Sequence, residues 1–188
     1  MEFELQTTQG LRRIPADFGD QWAVLFFYPG NFLPVSTTEL QQLAGLQSEF
    51  AAQNTQLLAI SADSIPAHLA YLQTLSRYRE PEIRFPLGTM AGASDRKMVM
   101  ILAPGGEPKA IFYYPDDTGV NFTEVLRTLT ALKTGRPTPA GWVPGAGTLL
   151  PPPETREESQ LFMQEAERRG HICLDWYLCF ENEEGETY

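Results

Sequence analysis

Apolar positions fall along this chain in two alternating rhythms. Residues 2–14 alternate as a short hairpin turning at Gln9-Gly10. Trp22 to Tyr28 is a near-continuous apolar run, the pattern of a strand buried on both faces. After a loop over 29–35, helical spacing takes over from Ser36 to Asn54, with Leu40, Leu43 and Phe50 on one face. Thr55–Ser61 predicts a second strand. Ser64 with Pro66 predicts a helix to about Arg79 that turns Ala70, Leu72 and Leu75 inward. Lys97–Leu102 and Pro108–Tyr114 predict strands joined by a Pro104-Gly-Gly-Glu turn. Asn121–Lys133 predicts a helix with Phe122, Val125, Leu126, Leu129 and Leu132 on one face. Alternating strands and helices followed by a hairpin and a helix imply an α/β sandwich of the thioredoxin type.

The last third differs. Residues 135–153 hold six prolines and four glycines, which no strand or helix interior tolerates. The stretch reads as a linker, within which Trp142 needs a docking place. Thr155-Arg-Glu-Glu158 is a capping box opening a helix that ends near Gly170. In the segment that follows, Ile172, Leu174, Trp176, Leu178 and Phe180 repeat with period two, the pattern of an extended strand. The expected organisation is a domain over 1–134, a linker over 135–153 and an arm over 154–188.

Bulk properties narrow the function classes. A chain of 188 residues with 43% hydrophobic content can bury roughly 70% of its unfolded surface. A net charge of −10 argues against nucleic acid or an anionic membrane as partner. No apolar run reaches the ~20 residues of a membrane span, and the start has no basic leader. Two cysteines do not make a disulfide framework and fit a reducing cytoplasm. Two cysteines and two histidines without ligand spacing suggest neither a metal nor a cofactor. His68 is expected on an exposed helix face, and Asp116-Asp117 in a turn.

Candidate chemistry concentrates after the first apolar run. Ser36-Thr-Thr-Glu39 reads locally as a capping box, with Ser36 as N-cap. A helix N-terminus also stabilises negative charge, and a thiol at such a place has its pKa depressed from ~8.5 toward about 4–7. A serine gains nothing comparable without an adjacent base, and an alcohol cannot be oxidised as a thiol can.

The segment from Trp22 to Leu40 resembles the active-site segment of peroxiredoxins (AhpC/TSA), where an apolar strand runs into Pro-x-x-x-Thr-x-x-Cys and then Thr-Thr-Glu-Leu. Pro29 is kept, Leu33 stands at the Thr position, and Ser36 stands at the peroxidatic Cys position. Tyr113-Tyr-Pro115, the helix from Gly119 to Arg127, the Pro-rich linker and Cys173-Leu-Asp-Trp-Tyr-Leu-Cys179 resemble the one-cysteine-type branch with a long C-terminal arm. Counted back from Tyr113-Tyr-Pro115, the family's peroxide-polarising Arg falls on Lys97, which keeps the charge but loses the planar fork. Arg96 is adjacent but faces the other side of the strand. Arg127 is retained, Val120 replaces the helix motif's first Arg, and the stretch from Phe85 to Lys97 is shorter than in typical members.

The resemblance implies a thioredoxin-like sandwich with a C-terminal extension. It also implies a homodimer, or a higher homo-oligomer of dimers, through the arm. With Ser36 it implies lost or strongly impaired thiol peroxidase activity and a binding, structural or regulatory role. The alternative is an active peroxide reductase whose cysteine at position 36 was exchanged for serine to crystallise it. Cys173 and Cys179 are possible redox thiols. On one extended strand they would sit about 20 Å apart, beyond disulfide reach, so both are expected reduced, unbonded and buried.

Overall fold

The structure is a computed structural model that describes residues 2–78, 81–93 and 96–181. The chain divides into two compact units, residues 1–126 and 127–188.

A seven-stranded sheet organises the first unit, in the order β2 (Gly10–Ile14), β1 (Phe3–Thr7), β5 (Leu87–Thr89), β4 (Thr55–Ser61), β3 (Trp22–Phe27), β6 (Lys97–Leu102), β7 (Pro108–Tyr114). The first hairpin is β1 (Phe3–Thr7) with β2 (Gly10–Ile14), and its turn lies at Thr8-Gln9, one residue before the expected place. The apolar run becomes β3 (Trp22–Phe27), which pairs in parallel with β4 (Thr55–Ser61) and antiparallel with β6 (Lys97–Leu102). Its burial from Ala23 onward is what a central strand covered on both faces requires. β7 (Pro108–Tyr114) closes one edge on β6. β5 (Leu87–Thr89), parallel to β4, is a strand the sequence pattern does not announce.

Side-chain parity on β3 and β6 creates two different faces. Ala23, Leu25 and Phe27 lie with Met100 and Leu102 in a cluster that also takes Leu5, Ile14, Phe18, Leu58 and Ile60. Val24, Phe26, Lys97, Val99 and Ile101 point the other way. Helices cover that second face. Phe26 meets Phe122 of α4 (Phe122–Thr134) edge-on at 5.1 Å. The expected single helix over 36–54 is two, α1 (Pro34–Gly45) and α2 (Gln47–Ala52). The break at Leu46 follows Gly45, a poor helix former.

α3 (Ile65–Tyr78) turns a different stripe inward from the expected one. His68, Tyr71 and Leu75 are buried while Ala70 is exposed. This i, i+3, i+7 stripe uses the aromatic ring and the imidazole in place of the alanine.

In the second unit, Trp142 is buried, and its indole N–H donates to the Ala146 carbonyl at 2.8 Å. α5 (Arg156–Arg168) opens with the expected box: Thr155 accepts from the Glu158 N–H, and the Glu158 carboxylate accepts from the Thr155 N–H. The segment expected as one extended strand is a hairpin, β8 (Ile172–Asp175) with β9 (Leu178–Phe180). β9 is tied to the linker by Leu150 N–H to Cys179 C=O and Glu181 N–H to Thr148 C=O. Arg136 pairs with Glu181 across the same junction.

Candidate functional site

The loop after β3 is held by a buried polar network. Asp63 anchors it, accepting from the Asn31 N–H at 2.8 Å and the Ser61 hydroxyl at 2.7 Å. Tyr28 donates its hydroxyl to Asn31 Oδ1 at 2.8 Å, and His68 Nδ1 lies 3.1 Å from Asn31 Nδ2. His68 is fully buried, which corrects the exposed position expected for it. Burial holds its pKa below the ordinary histidine value, against the opposing charge of Asp63. Burial also raises the Tyr28 hydroxyl above its ordinary value.

Within the loop, Pro29 is half-buried and Phe32 adopts φ of 61°, a left-handed conformation unusual for an aromatic residue. Its ring stays exposed yet rests on Tyr71 at 4.8 Å. Leu33 is 44% exposed and serves as the N-cap residue of α1.

Ser36 is not a helix cap. Pro34 takes the first helical position, where its fixed φ suits it, so the helix begins two residues ahead of Ser36. Ser36 sits in the first turn at 1% exposure. Glu39 is then no partner in a capping box. It lies one turn further along the same face and reaches into the core.

That carboxylate meets Lys97. The ammonium donates to Glu39 Oε1 at 3.0 Å, to the Asp116 carbonyl at 3.1 Å and to the Thr118 carbonyl at 2.7 Å. Glu39 Oε1 also accepts the Val120 N–H at 2.9 Å, while Glu39 Oε2 is buried with no hydrogen-bond partner among the described residues. Both side chains are essentially inaccessible. A lysine has three N–H donors, and here each has an acceptor. The turn at Asp116-Asp117 supplies one of them and Thr118 another.

Sequence reasoning missed Glu39, its link to Lys97 and the Tyr28–Asn31–His68 network. The available signal was spacing: Ser36, Glu39, Leu40 and Leu43 fall on one helical face, and all four are buried.

The remaining candidates lie in the second unit. Arg127 donates from its guanidinium to the Trp142 carbonyl at 3.0 Å. Cys173 and Cys179 form a disulfide, contrary to the expectation of free thiols. The turn at Trp176-Tyr177 reverses the chain and pairs the two residues across the hairpin, with Cα atoms 4.0 Å apart. Cys179 is buried and Cys173 half-buried. Among the described residues no group of three His, Cys, Asp or Glu side chains could hold a metal ion.

Comparison with known proteins extends over both units. Residues 1–97 match the AhpC/TSA family, and residues 130–167 match the C-terminal domain of 1-Cys peroxiredoxin. A peroxiredoxin of Methanosarcina mazei is 32% identical over 212 aligned positions, covering 96% of this chain and 94% of the relative. One of Aquifex aeolicus is 35% identical, covering 94% of this chain and 91% of the relative. Among solved structures, a yeast mitochondrial 1-Cys peroxiredoxin superposes with TM-score 0.81 at 26% identity, over 96% of this chain and 95% of its own. A cysteine-to-serine mutant of peroxiredoxin 6 from Arenicola marina superposes with TM-score 0.74 at 28% identity, over 85% and 84%.

Proposed function

We propose that this chain, which belongs to the AhpC/TSA peroxiredoxin family, keeps the family's thioredoxin-like scaffold while having lost its thiol peroxidase chemistry. Its role on this reading is binding or regulation. The observation that carries it is the saturated ammonium of Lys97. Reduction of a peroxide needs a nucleophilic sulfur and donors aimed at the oxygen that leaves. Ser36 brings an alcohol to the sulfur's place, and Leu33 brings a hydrocarbon where the family has a hydroxyl. Lys97, at the position of the family's Arg, has no N–H left to offer a peroxide. A guanidinium has five donors and would have some to spare.

The other reading, an active peroxide reductase carrying an exchanged cysteine, accounts for Ser36 alone. It leaves Leu33 and the satisfied Lys97 unexplained. The direct test is hydrogen peroxide consumption by the full chain with dithiothreitol as reductant. Turnover at the uncatalysed rate is expected; sustained enzymatic turnover would sink the proposal.

The proposed assembly is a homodimer, or a larger homo-oligomer of dimers, built through residues 154–188. Supporting it, the hairpin leaves Ile172, Leu174, Trp176 and Tyr177 exposed, and α5 leaves Leu161 exposed. Apolar groups at this density need a cover. A monomer at micromolar concentration by light scattering would refute the assembly. No helix among the described residues is long and apolar enough to cross a membrane. The cytoplasm remains the proposed location. There the hairpin disulfide would be a redox-responsive bond, because cytosolic disulfides are rarely permanent staples.

A further inference from the structure

The sheet face opposite Ser36 carries an open hollow that the peroxiredoxin chemistry does not use. β5 ends at Thr89 and β6 begins at Lys97, so only residues 90–96 connect them. The Methanosarcina relative aligns over 212 positions against the 188 residues here, so that relative carries residues this chain lacks. Phe27, Met98 and Tyr113 are cross-strand neighbours on β3, β6 and β7, and their side chains share one face. With Phe3 and Met90 they bound a cavity of about 490 Å³. Phe3, Met90 and Met98 pack on the cluster of this face yet remain only half-buried, and Tyr113 is 61% exposed.

Arg96 supplies the cavity's cationic group. It precedes Lys97 by one residue, so strand parity sends it to the opposite face. There it lines the hollow, exposed, with no ion pair among the described residues. Glu2 lies on the same rim. The volume falls within the roughly 300–1,000 Å³ of small-molecule sites, and an apolar lining with few polar groups is their usual composition. An apolar cavity offers water too few partners to hold it in order. A guanidinium is matched in geometry by a carboxylate, which it can bind through two parallel N–H donors.

We propose that this hollow binds a small amphipathic anion, its hydrocarbon body on Phe3, Phe27 and Met98 and its carboxylate on Arg96. A medium-chain fatty carboxylate has both parts. Glu2 sets a limit on affinity, since its charge opposes the head group.

The test is calorimetric titration of the full chain with decanoate below its micelle concentration, with decanol as the uncharged control. One saturable site per chain is expected, with decanol weaker. Arg96→Gln should weaken decanoate about fivefold, in keeping with the modest worth of an exposed ion pair, and leave decanol unchanged. Glu2→Gln should tighten decanoate slightly. Met98→Trp fills the cavity and should abolish binding of both. Should Met98→Trp fail to fold, the unaltered chain with ¹³C-methyl methionine gives the same answer. The Met90 and Met98 methyl resonances should move on titration, and those of Met100 and Met163 should stay. Absence of saturable heat at millimolar decanoate would overturn the proposal. So would shifts that spare Met90 and Met98, or decanol binding as tightly as decanoate.

Discussion

Lys97 and Arg96 are neighbours in sequence, and they show how differently the two faces of the sheet are built. On the helix-covered face, Lys97 is sealed with Glu39, and its donors are spent on Glu39 and two carbonyls. On the other face, Arg96 stands at the rim of a hollow, exposed and without an ion pair among the described residues. One face closes its charge into the core; the other leaves its charge beside an open hollow. The same formal charge therefore has different consequences at adjacent positions, because burial decides what a charge is worth.

The largest effect should come from breaking the sealed pair. Lys97→Met leaves Glu39 buried without its counter-charge and should cost roughly 3–5 kcal/mol of stability. Urea denaturation monitored by circular dichroism measures it. Adding Glu39→Leu to Lys97→Met should return much of the loss, since a well-packed apolar pair often equals a buried ion pair. A single variant as stable as the parent would mean that the pair is not closed to water.

The hairpin extends the contrast between sealed and open to the second unit. Its disulfide closes a short loop, with a sequence separation of 6. Chain-entropy reasoning gives a loop of that length about 2 kcal/mol. Reduction should loosen residues 172–181, detectable as faster amide exchange there and unchanged exchange in β3 and β4.

His68 supplies a smaller, graded effect on the sealed face. Its folded-state pKa is depressed by burial, so the unfolded chain binds the proton more readily. Its stability contribution is complete above the unfolded value near 6.5 and is lost as pH falls from there toward the folded value. Denaturation midpoints at pH 7.5 and 5.5 should differ more for the parent than for His68→Asn. The least effect is expected at the open face, where Arg96→Gln should change stability by less than about 0.5 kcal/mol. A large loss there would break the contrast.

What the sequence revealed follows from which forces are local. The run from Trp22 to Phe27 is legible because a strand covered on both faces must be apolar throughout. Thr155 and Glu158 are legible because capping is settled within one helical turn. Glu39 is not, because its partner lies 58 residues away and a local box explained it equally well. The hairpin was hidden because Asp175-Trp176-Tyr177-Leu178 holds no glycine or proline, so a period-two pattern read straight through the turn. His68 was misplaced because a histidine on a helix is ordinarily polar surface, and the network that satisfies its Nδ1 comes from another loop. β5, at three residues, is too short to have a period.

On the proposed function, Leu33 and Lys97 limit peroxide chemistry as much as Ser36 does. The rate of hydrogen peroxide consumption by Ser36→Cys decides it, with the Aquifex aeolicus peroxiredoxin as reference in the same assay. With Leu33 unable to donate and Lys97 satisfied by its three acceptors, the introduced thiolate should be more than tenfold slower than the reference. That is a loss of over ~1.4 kcal/mol of transition-state stabilisation. A Ser36→Cys variant that consumes peroxide as fast as the reference would contradict the account and show that serine at position 36 is the only lesion.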